Sequence, residues 1–281
     1  MTNRSAASSS SGDNWLGLSG RVCVVTGAAG AIGAEIAREL AAVGAAVALL
    51  DRDEKAALAV ADGIADTGAK AIGVYCDITD AASVEAAAEV VAAKLGPCKV
   101  LVNNAAAIYA DALMQVKVEK WNQLMSVNLT GFLLCAQSFG RQMIAQGGGS
   151  MIHVASISGS FPQAYSGAYS VSKAGVKMLS QLLAVELGEH GVRSNVVSPA
   201  MVRTPMSEVI YQDPDVLRLR ESIVPARRIS TPRDVAEAVL FLASERSSYV
   251  SGQDILVDGG LSKTLLGLIP RPGFEKKDTQ Q

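Results

Sequence analysis

The chain has 281 residues, 49% of them hydrophobic and only 5% aromatic, with 25 basic and 27 acidic side chains for a formal charge of -2. That length buries a sizeable core in one large domain, and the near-neutral balance supplies no field to draw nucleic acid or an acidic membrane surface. Four scattered cysteines and two histidines offer neither zinc-ligand spacing nor a disulfide framework, and fit a reducing cytoplasm.

The opening "MTNRSAASSSSGDN" is polar and Ser-rich without an apolar signal segment, and residues 1–13 read as a flexible tail. Short β-rich runs then alternate with Ala-rich stretches of helical period. Strands are expected at 21–27, 45–51, 71–77, 99–105, 150–156, 193–199 and 254–260, and helices at 31–43, 54–67, 80–95, 119–146 and 168–189. A last helix begins in "STPRDVAEAVLFLASE", where Thr231 can cap, Pro232 suits the first helical position and Asp234 complements the dipole. Such alternation implies β-α-β units: an α/β domain over 14–262 with a single Rossmann-type, doubly wound parallel sheet of about seven strands. Between 203 and 229 the pattern weakens, as a lid over a site would, and 263–281 form a C-terminal extension. No run approaches about 18 apolar residues, so no membrane span is expected.

The turn after the first strand, "TGAAGAIGAEIA", places Gly27, Gly30 and Gly33 between strand and helix. Glycines there let the backbone approach a pyrophosphate, which a helix N-terminus attracts. Asp51 ends the second strand eighteen residues beyond Gly33, near the spacing of the acid that binds an adenosine ribose. A carboxylate at that point repels a 2'-phosphate and favours NAD over NADP, although Arg52 beside it is able to meet such a phosphate.

"SGAYSVSKAG" puts Tyr169 and Lys173 four residues apart on one helical face. A neighbouring cation favours a phenolate, so the pair is a candidate general acid/base, with the lysine expected to lower the tyrosine pKa. Alone, the spacing is a weak signal. Ser156 ends the expected strand "MIHVAS" thirteen residues earlier, where a hydroxyl projects over the carboxyl edge of a parallel sheet; Ser158 and Ser160 are alternatives. Tyr165 has no lysine at the corresponding spacing. His153, three residues before Ser156, should face the opposite side of that strand, and no G-x-S-x-G elbow is present, so a serine hydrolase is not expected.

From about Leu18 to Ser262 these motifs resemble the short-chain dehydrogenase/reductases. "TGAAGAIG" is similar to that family's glycine turn, with Ala31 at the usual middle glycine and Ile32 before Gly33. "NNAA" resembles its Asn-Asn-Ala-Gly, contributing Asn104, Ala105 and, for the glycine, Ala106. "SPAMVRTPM" resembles its Pro-Gly segment, with Pro199, Ala200 for glycine, Val202, and Thr204 where the nicotinamide amide is met. The resemblance implies that Asp77, with Ile78 beside it, contacts the adenine. It further implies that Ser156 donates to the substrate oxygen, Tyr169 exchanges the proton, and Lys173 holds the nicotinamide ribose. Asn128, in "WNQLMSVNLTG", would order a water chain to the lysine.

The expected protein is therefore an NAD-dependent, metal-free enzyme of the cytoplasm that interconverts a secondary alcohol and a ketone, assembled as a homotetramer through the two long central helices. Its alternatives are an NADPH-linked 3-ketoacyl reductase and a non-catalytic nucleotide-binding regulator; the intact Ser156, Tyr169 and Lys173 argue against the regulator. Ile108, Tyr109, Phe161, Met206, Ile210 and Tyr211 are expected to overhang the site and favour a compact hydrophobic or cyclic alcohol. "LLGLIP" at 265–270 is expected either to close a pocket or to pack in the core.

Overall fold

The computed structural model describes residues 15–269; the segment read as an N-terminal tail and the extension from 270 onward lie outside the described residues. Seven parallel strands, β1 (Val22–Thr26), β2 (Ala46–Asp51), β3 (Ala71–Tyr75), β4 (Val100–Asn103), β5 (Gly149–Val154), β6 (Val192–Pro199) and β7 (Asp254–Val257), form one sheet in the order β3-β2-β1-β4-β5-β6-β7. Runs such as "VCVVT" and "VLVN" are buried throughout, as strands covered on both faces must be. On one face α1 (Ala31–Ala42), α2 (Glu54–Ala65) and α9 (Pro232–Ala243) bury Ile36, Leu40, Ile64, Val235 and Val239. On the other, α3 (Ala81–Leu95), α5 (Gly131–Ala145) and α6 (Tyr169–Leu187) bury Val91, Phe132, Phe139, Met143 and Val176.

The strand order reverses between β1 and β4. Loops leaving their carboxyl ends diverge there and open a crevice.

Local chemistry explains where the helices begin. Asp53 caps α2 by accepting from the Ala56 amide at 3.0 Å, and Asp80 caps α3 by accepting from Ala82 at 3.0 Å. As expected, Pro232 opens α9, and Asp234 accepts from the Thr231 amide at 2.7 Å while Arg228 grips it at 2.6 and 2.7 Å. The start of α1, at Gly30, has no side-chain cap.

Three expectations are adjusted. The helix expected at 119–146 is α4 (Val118–Met125), one wider π-turn (Ser126–Thr130) and α5; such turns interrupt helices where a side chain must be re-aimed. The weak pattern after 203 folds as two short helices, α7 (Glu208–Tyr211) and α8 (Pro214–Ile223), the second started by Asp213 and Pro214. Leu265, Leu266 and Ile269 are largely exposed, so the described part of the extension does not pack in the core. All four thiols are buried and unpaired. Among the described residues no helix is long and apolar enough to cross a membrane.

Candidate active site

The crevice between β1 and β4 is sutured by close backbone approach. Gly27 has φ +62°, and a Cβ on it would lie 2.6 Å from the Ala105 Cα; one on Gly33 would lie 2.4 Å from the Gly27 carbonyl oxygen. Gly30 is the extended N-cap residue, and Ala31, Ile32 and Gly33 form the uncapped first turn of α1. Ala31 is the helix's first residue, a position that needs no glycine. Asn104 donates through Nδ2 to the carbonyls of Thr26 and Gly27 at 3.0 and 3.1 Å. Thr26, which sequence reasoning did not single out, is the hub of this joint: its Oγ1 accepts from the amides of Asn104 and Ala105 at 3.0 and 3.2 Å. Its only signal was its place immediately before Gly27.

Asp51 is the last residue of β2, and its two oxygens accept from the amides of Ala29 and Asp53, both at 3.0 Å. This carboxylate is thus held against the glycine turn, with Arg52 exposed beside it. Asp77 accepts from the Thr79 amide and hydroxyl at 2.9 and 2.7 Å, bonds that hold its carboxyl below the usual range. Ile78, beside Asp77, turns its side chain inward. Its side chain is buried against Gly131 of α5, where a Cβ would lie 2.7 Å from Ile78 Cδ1. Ala106 is exposed at the crevice. Beyond β6, Ala200 donates to Val257 O at 3.2 Å, Val202 bridges to Ser230, and the Thr204 amide donates to Ser207 Oγ at 2.9 Å.

Ser156 lies two residues past the end of β5 and caps a 3-10 turn, Ile157–Gly159, its Oγ accepting from the Ser158 amide at 3.1 Å. This hydroxyl also draws down the pKa of Tyr169, the first residue of α6. Of the alternatives, Ser160 accepts from Lys177 Nζ at 2.7 Å, and Ser158 meets Ser156 through its backbone amide. Lys173, one turn into α6, is buried. Its Nζ donates to Val154 O at 2.9 Å and lies 5.7 Å from the centre of the Tyr169 ring.

Burial pushes Lys173 down to about 7. It pushes the Tyr169 phenol up, opposed by the Ser156 hydrogen bond. The expected lowering of the tyrosine pKa is therefore overturned here: desolvation dominates, and the relief comes from Ser156. Asn128 sits in the π-turn, accepting from Ala107 N at 2.7 Å and donating to Ala107 O at 2.9 Å and Ser172 Oγ at 3.1 Å. It thereby ties the segment after β4 to α6 between Tyr169 and Lys173.

His153 is fully buried, its ring nitrogens 3.1 Å from Asn103 Nδ2 and 3.1 Å from Ser194 Oγ, and burial lowers it to about 3. A neutral core histidine cannot serve Ser156 as a base.

The loop after β4 is pinned to the approach to α6, with Asp111 N donating to Tyr165 O at 2.9 Å and Gly167 N to Asp111 O at 3.0 Å. Tyr165 holds φ +61°, a strained conformation for a non-glycine residue. Of the expected overhanging side chains, Ile108, Phe161, Met206 and Ile210 are exposed. Tyr211 is instead buried beneath Arg203 and Arg220, 5.8 and 5.6 Å from its ring, so it packs within the segment after 203 and does not overhang the site.

A family model described as enoyl-(acyl carrier protein) reductase matches residues 27–262, the span holding every side chain above except Thr26. The chain belongs to the short-chain dehydrogenase/reductase family. Among its relatives in that family, the cis-4-hydroxycyclohexanecarboxylate dehydrogenase of Sinomonas cyclohexanicum is 42% identical over 241 residues, 85% of this chain and 96% of the relative. A short-chain type dehydrogenase/reductase from Mycobacterium marinum superposes with a TM-score of 0.81 at 37% identity, covering 87% of this chain and 96% of that one. A gluconate 5-dehydrogenase from Burkholderia cenocepacia, solved with NADP and tartrate, gives 0.83 at 32% identity over 88% and 96%. The short-chain dehydrogenase/reductase described here is accordingly an oxidoreductase acting on alcohol and carbonyl groups through a nicotinamide coenzyme.

Proposed function

We propose that this enzyme oxidises a compact, largely hydrophobic secondary alcohol to its ketone with NAD, using Tyr169 as general base. The observation that carries the reading is the convergence of Ser156, Tyr169 and buried Lys173 at the carboxyl edge, beside a crevice whose glycines leave no room for a Cβ.

The crevice fits a dinucleotide. The amides of Ala31, Ile32 and Gly33 are free to meet a pyrophosphate, Asp51 the adenosine ribose, and Asp77 the adenine. Ala105, Ala106, Pro199, Ala200, Val202 and Thr204 would line the nicotinamide end, with Lys173 on its ribose. When bound, the coenzyme supplies the hydride acceptor. Tyr169 Oη takes the hydroxyl proton of the alcohol, and Ser156 Oγ donates to the oxygen as charge develops on it. Lys173, with its proton loosened by burial, passes protons on toward water, and Asn128 fixes the backbone that borders this route.

Asp51 supports NAD. Exposed Arg52 and the NADP found with the gluconate 5-dehydrogenase favour the second reading, an NADPH-linked reductase. Ile108, Phe161, Met206 and Ile210, together with the cyclic hydroxy acid in the name of the Sinomonas relative, support a cyclic substrate. Exposed Val171, Met178, Leu182 and Val185 recur on one face of α6, Leu133 of α5 is also exposed, and these support a homotetramer built on these helices. The buried unpaired thiols support a reducing cytoplasm.

The test is a panel of cyclic and open-chain secondary alcohols, phosphorylated and multiply charged ones included, offered with NAD and with NADP. Formation of NADH from an uncharged or singly charged cyclic alcohol is expected. A higher kcat/KM with NADP overturns the coenzyme choice, and a preference for the phosphorylated set overturns the substrate class.

A further inference from the structure

The turn that carries Ser156 is gripped by a cation that no part of the reaction uses. After Ser156 the chain turns tightly: Gly159 N donates to Ser156 O at 3.0 Å, and the amides of Ser160 and Phe161 both donate to Ile157 O at 2.9 Å. The turn lies directly against α6, because a Cβ on Gly159 would sit 2.8 Å from the Lys173 carbonyl carbon and 2.9 Å from Lys177 Cε. Lys177, one helical turn beyond Lys173, donates through Nζ to Ser160 Oγ at 2.7 Å and pairs with Asp254 of β7 at 2.7 Å.

This pair is partly withdrawn from water, with side-chain exposures of 12% for Lys177 and 24% for Asp254. The second Asp254 oxygen, Oδ1, is buried with no partner among the described residues, so the carboxylate depends on Lys177. A half-buried ammonium fixed by a carboxylate on a sheet strand is a rigid post, whereas an exposed lysine is a flexible one. Asp254 is itself set by the sheet, opposite Val196 of β6.

We propose that Lys177 is a positioning residue of this enzyme: anchored by Asp254, it clamps the far end of the 157–160 turn through Ser160 and so fixes the Ser156 hydroxyl over the reacting oxygen. The catalytic meaning rests on the Ser156–Tyr169 reading above. The clamp acts through Ser156 and touches neither substrate nor coenzyme. It also orients Phe161, the next residue, which stands exposed at the site.

The test compares Lys177→Met, Lys177→Arg and Ser160→Ala with the unmodified full-length protein. Ser160→Ala leaves the ion pair intact and carries the experiment if Lys177→Met fails to fold. Two quantities are read: hydrogen exchange at the amides of Ser158 to Phe161, and kcat separately from the dissociation constant of the coenzyme. Lys177→Met is expected to raise exchange in this turn about tenfold and lower kcat about 10- to 100-fold, because displacing a catalytic group by about 1 Å costs up to 10²-fold. Coenzyme affinity should stay within about twofold, Ser160→Ala should follow with a smaller loss of about threefold, and Lys177→Arg should recover most of the rate. Unchanged exchange in Lys177→Met and Ser160→Ala overturns the clamp. Raised exchange with unchanged kcat overturns its catalytic role. Should no alcohol be oxidised, the function proposed above fails while the exchange measurement still decides whether the clamp exists.

Discussion

At the amino edge of the sheet a cavity of about 440 Å³ is lined by Arg21, Lys99 and Arg193 among glycines and serines. At the carboxyl edge, Ser156, Tyr169 and Lys173 meet beside the uncapped start of α1. The cations of the amino edge are spent on the protein itself. Arg193 donates to the carbonyls of Leu242, Ser244 and Val250 at 2.8, 3.2 and 3.2 Å, Lys99 donates to Gly148 O, and Arg21 pairs with Glu245 at 2.9 Å. At the carboxyl edge capacity is left over. Lys173 and Lys99 each have one carbonyl partner for three donors, but Lys173 is fully buried whereas Lys99 is partly open to water, and the first amides of α1 have no side chain to meet. A large cavity whose polar groups are satisfied is architecture; the site is where buried polar groups retain unused hydrogen bonds.

The sharpest way to break this contrast is Tyr169→Phe, which keeps the ring and removes the proton carrier. It should lower kcat by about 10² to 10⁴ while coenzyme binding, followed by fluorescence titration, persists. Near-normal turnover would end the distinction between the edges. Ser156→Ala should cost about 10² in kcat, as loss of a donor to a developing oxyanion does. It should also move the pH dependence. Oxidation needs the phenolate, so the rate climbs with pH; losing the one hydrogen bond that draws the buried phenol down shifts that climb to higher pH. A pH profile of kcat/KM that does not move would assign Ser156 to packing.

Asp51→Ala acts on the coenzyme choice, besides freeing the amides of Ala29 and Asp53. Removing the carboxylate that repels a 2'-phosphate should narrow the NAD preference in kcat/KM by about tenfold, and an unchanged ratio would move selectivity elsewhere. The smallest effect on turnover belongs to the amino edge. Arg193→Met should leave kcat/KM unchanged yet cost about 1 to 3 kcal/mol of stability in urea denaturation, since it removes three hydrogen bonds from carbonyls that keep only their Ser150, Ser247 and Asn195 donors. A loss of activity at full stability would show the amino edge to be a second site.

Between the edges lies His153, neutral in the fold with its pKa lowered from 6.5 to about 3. The unfolded chain binds a proton there first as pH falls, so stability is present above 6.5 and drains away down to about 3. The slope is at most about 1.4 kcal/mol per pH unit, and His153→Gln should flatten it in denaturation curves taken across that window.

The residues alone determined whatever depends on near neighbours in the chain. Alternating β-rich and Ala-rich runs specify a parallel sheet, Gly27 and Gly33 a close turn, Asp51 a carboxylate at a strand end, and Tyr169 and Lys173 a shared helical face. Packing decided the rest. Thr26 became a hub only because β4 lies beside β1, and Tyr211 does not overhang the site because two arginines close over it. Lys177 found Asp254 in the neighbouring sheet strand, and the sign of the Tyr169 shift reversed because desolvation, which no spacing encodes, outweighs the Ser156 hydrogen bond. Periodicity is a short-range property of the chain, whereas burial and the partners of a charge are properties of the assembled fold.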